Sequence, residues 1–119
     1  MTTDKTALVV MRGLIVVLTL FTAAVHLMMG VSYTDTLFLL NGLGYLALLG
    51  ALLLPIPIIQ DYRNVWRWLL VAYAAVTIIM YFVINRLGVD TLGLVTKAAE
   101  AAIIALVILG GRGLFRSDR

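Results

Sequence analysis

Four apolar stretches dominate the chain, at about residues 7–29, 36–54, 66–84 and 91–110. Each is close to the ~20 residues that a helix needs to cross a hydrocarbon core. Backbone N–H and C=O groups in lipid must be satisfied within the spanning segment, so helices are the default. A barrel strand would alternate polar and apolar side chains, and "ALLGALLLPIPII" (47–59) does not. Hydrophobic residues make up 63% of the 119 and charged ones 13%, which is more apolar surface than a soluble domain of this size can bury. The expectation is an all-α polytopic membrane protein. It would be an antiparallel four-helix bundle forming a single transmembrane domain over residues 1–119.

The connections fit this division. "GVSYTDT" (30–36) reads as a short turn, and Pro55 and Pro57 end the second segment. "NRLGVDT" (85–91) carries Gly88, and Asp90 with Thr91 can cap the last helix. The tail "GGRGLFRSDR" (110–119) reads as a polar end that breaks the fourth helix. The first segment resembles a signal peptide around "FTAA" (21–24), but its apolar run continues through "VHLMMG" (25–30), so a retained span is expected. With both termini on one side, that side holds Lys5, Arg12, Arg63, Arg67, Arg112, Arg116 and Arg119, and the other only Arg86. The positive-inside rule then puts both termini in the cytoplasm, with Trp66 and Trp68 at that interface. Arg12, about one turn inside the edge, is expected to snorkel to phosphate headgroups.

Several function classes drop out. The chain has no cysteine, so disulfides, thiolate metal sites and cysteine nucleophiles are excluded. His26 is the only histidine, so one copy has no bis-histidine haem or metal site, and no metal is expected. The net charge of +3 is spread over span ends, which speaks for topology rather than nucleic-acid binding.

The remaining polar residues share a depth. In the expected orientation, His26 is near the outer end of the first helix, and Asn41 and Tyr45 lie one to two turns into the second. Tyr73, Thr77, Tyr81 and Asn85 repeat every fourth residue along the third. Lys97 and Glu100 fall ~10–15 Å into the fourth at 1.5 Å per residue. Polar groups from all four helices thus converge in one half of the bundle. Lys97 and Glu100 share a face with Gly93, whereas Ala98, Ala101, Ala102 and Ala105 form a separate small-residue face suited to close packing on a neighbour.

A lone charge at mid-span costs about 2.5–3.5 kcal/mol on the insertion scale. Lys97 and Glu100 are therefore expected to face inward, pair with each other and bond to His26, Asn41 and Tyr81. The sharper alternative is an ion, proton or ligand site. His26 reads as an interfacial residue bonded to a neighbour, with a haem or chlorophyll ligand as the alternative. Gly42 and Gly44 read as points of close helix contact, with a bend around a ligand as the alternative.

"AAVHL" (23–27), "LFLLNGLGYLALL" (37–49) and "LGLVTKAAEAAIIALV" (92–107) together resemble small, uncharacterised four-helix prokaryotic integral membrane proteins. Arg12 adds a fainter likeness to the DoxX-like four-helix proteins, some of which accompany quinone-linked oxidoreductases. The resemblance implies a prokaryotic inner membrane and carries over no activity and no functional residue.

The leading functional expectation is a non-enzymatic accessory subunit of a larger membrane complex, such as one in an electron-transfer chain. Its partners would be lipid and other membrane subunits or a second copy. One alternative is a transporter of protons or small solutes using Glu100. Another is a pigment-, haem- or quinone-binding protein with its site at His26, Tyr45 and Lys97. Acid–base groups are present, but their spacing specifies no reaction class.

Overall fold

Short polar side chains start the first two helices. Asp4 caps α1 (Lys5–Ser32) by accepting from the Thr6 amide, and Asp35 caps α2 (Thr36–Leu53) by accepting from Leu37 and Phe38. A short helix α3 (Pro57–Gln60) follows, then α4 (Arg63–Ile84), α5 (Thr91–Gly110) and a 3-10 turn over Arg112–Phe115. This computed structural model describes residues 4–84 and 90–115. Expectations placed on Asn85, Arg86, Gly88, Arg116 and Arg119 lie outside the described residues.

Four helices, α1, α2, α4 and α5, are long and apolar enough to cross a membrane. Their outer surface supports that reading. Leu37 is 72% exposed, Leu109 74% and Ile79 60%, and such a coat of large aliphatic side chains is incompatible with water as the surrounding solvent.

Neighbouring helices run in opposite directions. Thr22 of α1 meets Glu100 of α5, while Leu8 approaches Gly113 just beyond α5. Asn41 of α2 meets Thr77 of α4, while Leu54 meets Arg63. One end of the bundle therefore carries the α1–α2 turn, here the turn end. The other gathers Leu8, Leu54, Arg63 and Phe115, here the terminal end. At Gly42 the backbones of α1 and α2 come so close that a Cβ would lie 2.9 Å from the Ala23 carbonyl oxygen.

The α1–α2 turn is closed by backbone bonds from Asp35 to Gly30 and from Thr34 to Val31. This is the Schellman pattern, and it places Thr34 at φ 51°, a left-handed conformation that favours glycine. Thr34→Gly is expected to stabilise the protein by about 1 kcal/mol, because a β-branched residue is strained there. Thermal unfolding in detergent checks it: the apparent Tm should rise, and a fall would mean that the threonine side chain makes a compensating contact.

The last segment departs from the sequence expectation. The tail was expected to be polar, yet Leu114 and Phe115 are buried and join Ile15, Leu52, Leu70, Ile103 and Val107 in the core. Gly111, at φ 69°, turns the chain back under the bundle. Arg63 fixes the fold-back by donating to the carbonyls of Phe115, at 3.0 Å, and Leu54, at 2.6 Å. Arg67 is buried as well, bonded to Asn64 and to the Val107 carbonyl and stacked 4.8 Å from the Trp68 ring. Its charge thus sits at the C-terminal end of α5, where the helix dipole is negative. The third span starts at Arg63 rather than Trp66. The connection before it contains α3, with a proline in its first turn, where the missing N–H costs nothing.

Candidate functional site

The half of the bundle toward the turn end is polar inside. Glu100 is fully buried on α5 and forms an ion pair with Lys97 one turn away, itself 6% exposed. The other carboxylate oxygen, Oε2, accepts from the Tyr45 hydroxyl at 2.6 Å and from the Thr22 hydroxyl at 3.0 Å. Three helices thus converge on one carboxylate. Lys97 Nζ also lies 5.3 Å from the centre of the Tyr81 ring, within cation–π range. Such satisfaction is what allows a buried charge pair to persist in a low-dielectric interior.

Among the described residues His26 is hydrogen-bonded to this network through Thr22. Its Nδ1 lies 2.7 Å from the Thr22 carbonyl and 3.3 Å from the Thr22 hydroxyl. The hydroxyl proton is committed to Glu100, so Nδ1 of the neutral ring carries a proton and donates to the carbonyl. Nε2 is left with its lone pair. The ring packs edge-on against Phe38, with centroids 5.9 Å apart, and tilted against Tyr45 at 6.1 Å.

A second network joins α2 to α4. Tyr73 donates to the Asn41 carbonyl at 2.8 Å, and the Thr77 hydroxyl donates to the Tyr73 carbonyl at 2.8 Å. Asn41 Nδ2 in turn donates to the Thr77 hydroxyl at 3.4 Å. Gly44 leaves room for the Tyr73 hydroxyl, which a Cβ at that position would displace. A third pairing, Tyr81 with Asp90 at 2.9 Å, lies at the very end of α4 and α5. Asp90 therefore holds Tyr81 instead of capping α5 with its side chain.

The expected bonding of Lys97 and Glu100 to His26, Asn41 and Tyr81 is thereby corrected. Glu100 bonds to Thr22 and Tyr45, Asn41 bonds to Thr77, and Tyr81 bonds to Asp90 while presenting only its ring to Lys97. The reason is depth. Glu100 is one turn further from the turn end than Lys97, level with Tyr45 and Thr22, whereas Asn41 and Tyr81 stand higher. Thr22 is the residue that sequence reading missed. It lies one turn before His26 on the same helix face, a signal masked by reading "FTAA" as small residues only.

The polar network ends abruptly. Thr19, one turn below Thr22, is fully buried with its hydroxyl unpartnered among the described residues. Below it lies the apolar core of Ile15, Leu52, Leu70, Ile103 and Val107, closed by Leu114 and Phe115. Toward the turn end, by contrast, a cleft of about 530 Å³ is lined by His26, Asn41, Thr77, Tyr81 and Lys97, with Phe38 and Met80 as apolar walls. A lateral groove of about 630 Å³ runs between α2 and α4 over Leu40, Gly44, Leu48, Leu69 and Val76. Cleft and groove share Leu37, Asn41, Thr77 and Met80.

The alanine row lies elsewhere. Ala98, Ala101 and Ala105 are exposed and Ala102 is half-buried, so most of this face packs on nothing within the chain. The alanine of α5 that packs inward is Ala99, 8% exposed. Among the described residues no three His, Cys, Asp or Glu side chains are grouped to hold a metal. Comparison with protein-family models, curated proteins and solved structures finds no match to this chain.

Proposed function

We propose that this chain is a non-enzymatic integral membrane protein that binds an amphiphilic molecule in the cleft at the turn end. The observation that carries this reading is the one-sided polar interior. A cleft bearing His26, Asn41, Thr77, Tyr81 and Lys97 opens onto a lipid-facing groove, while the opposite half of the bundle is packed with apolar side chains except for Arg67 at its end. Binding sites of this kind are mostly apolar, with a few fixed polar groups that set orientation. The apolar seal argues for binding over a continuous pore. Arg63, Arg67 and Arg112 at the terminal end support a cytoplasmic location for both termini, with the cleft on the outer face of a prokaryotic inner membrane.

Co-purification tests the reading. The full chain, extracted in a mild detergent, is expected to carry one amphiphile enriched over bulk lipid in its organic extract. Met80 borders both cleft and groove, so Met80→Trp should abolish the enrichment while leaving a monodisperse protein. A wild-type extract with the composition of bulk lipid would overturn the proposal.

A second reading, an accessory subunit of a larger membrane complex, is favoured by one observation. Ala98, Ala101 and Ala105 form an exposed small-residue row on α5 that suits a helix of a partner or of a second copy. Native mass in gentle detergent separates the two readings. A stoichiometric partner set supports the subunit, and a lone particle carrying an amphiphile supports the binding protein.

A further inference from the structure

The hydrogen-bonding capacity left unused in the cleft has a definite sign. Resting on the binding reading above, we infer that the occupant is a neutral amphiphile with a hydroxyl head, a lipid alcohol or phenol, whose one O–H proton goes to Asn41 Oδ1 or to His26 Nε2 while its apolar tail lies in the α2–α4 groove.

His26 is 6% exposed, and its Nδ1 proton is committed to the Thr22 carbonyl. Nε2 meets no protein partner among the described residues, so in the neutral ring it is an acceptor without a donor. The deficit at Asn41 is the stricter one, since its acceptor is a buried atom. The Thr77 hydroxyl spends its proton on the Tyr73 carbonyl, so it can only accept from Asn41, which fixes the amide with Nδ2 toward Thr77. That leaves Asn41 Oδ1 buried and without a donor. Two acceptors from two helices thus border one cleft. Buried polar groups normally have partners, and an unsatisfied acceptor is a standing cost that a ligand hydroxyl would relieve.

The charges argue against an anionic head. Lys97 is already neutralised by Glu100, and Asp35, which also lines the cleft, caps α2. Among the described residues the charged side chains that line the cleft are Lys97 and Asp35, with Glu100 buried behind Lys97, so an added anion would have no free counter-charge. A cationic head would likewise find Glu100 paired with Lys97 and Asp35 engaged at the start of α2. A neutral donor is the head chemistry that fits both facts. The tail follows from geometry, since Asn41, Thr77 and Met80 belong to both the cleft and the groove, and the groove is lined by Leu40, Leu48 and Val76.

The test uses the full chain in nanodiscs and three probes with one alkyl tail: 4-nonylphenol, its methyl ether, and nonyl phosphate. The phenol is expected to bind about tenfold more tightly than the ether, as one acceptor gains a donor. Whichever of His26→Phe and Asn41→Leu removes the acceptor in use should erase most of that preference, so that the phenol binds that variant no tighter than the ether does. Folding of both variants is checked by their elution and helical circular dichroism. If wild type binds the ether as well as the phenol, or the phosphate best, the hydroxyl inference is overturned while the binding reading stands. If none of the probes binds, both fall.

Discussion

Glu100→Leu should cost about 3–5 kcal/mol, the usual loss when one partner of a buried ion pair is removed. The substitution would leave Lys97 buried beside aliphatic side chains and strip the Tyr45 and Thr22 hydroxyls of their common acceptor. The cost should be largely recovered by adding Lys97→Met. The double variant loses both charges together, and what it still lacks is two interhelical hydrogen bonds, each worth about 0.6 kcal/mol in membrane proteins. Unfolding in mixed detergent, run as a double-mutant cycle, reads the coupling directly. A single variant as stable as wild type would show that Lys97 escapes to the headgroups when freed. A double variant no better than the single would show that the hydroxyl network, not the charge balance, holds the three helices together.

Phe115→Ala should cost about 3 kcal/mol, within the range for truncating a buried phenylalanine. Phe115 is 2% exposed, and its carbonyl takes a hydrogen bond from Arg63, so the side chain and the backbone of the same residue close the terminal end. A cavity here would open in the core cluster that also holds Ile15 and Val107. Apparent Tm in detergent checks the loss. A shift indistinguishable from zero would mean that the last turn is not docked, and with it the apolar seal beneath Thr19 would fail. Leu114→Ala is the companion variant, because Leu114 is buried in the same cluster and carries no hydrogen bond to a side chain.

How far the sequence reached varies from residue to residue. The inward face of α5 was legible because Lys97 and Glu100 stand three apart on a helix, and two adjacent opposite charges in lipid have few alternatives to pairing. The link between Asn41 and Thr77 was not, since it depends on which helices are neighbours. Thr22 escaped because a threonine in a hydrophobic run is neutral in composition, and only its distance to Glu100 shows that it matters. The tail misled in the opposite direction. "GGRGLFRSDR" is polar on average, but Gly111 in a left-handed conformation turns two apolar residues back into the core, and an average cannot register a reversal of direction.

The sequence by itself determined the solvent and the secondary structure. Long apolar runs leave the backbone no acceptors but its own, so helices of spanning length follow wherever such runs occur. It also determined that polar residues would share one half of the bundle, because depth along antiparallel helices follows from residue number. Only the tertiary structure decided which of them touch. Contact across helices depends on rotation about each axis and on close approaches such as Gly42 against Ala23 and Gly44 against Tyr73, each a matter of ångströms. Those approaches put Tyr45 and Thr22 on Glu100 and, among the described residues, leave buried Asn41 Oδ1 and also His26 Nε2 without donors beside the same cleft.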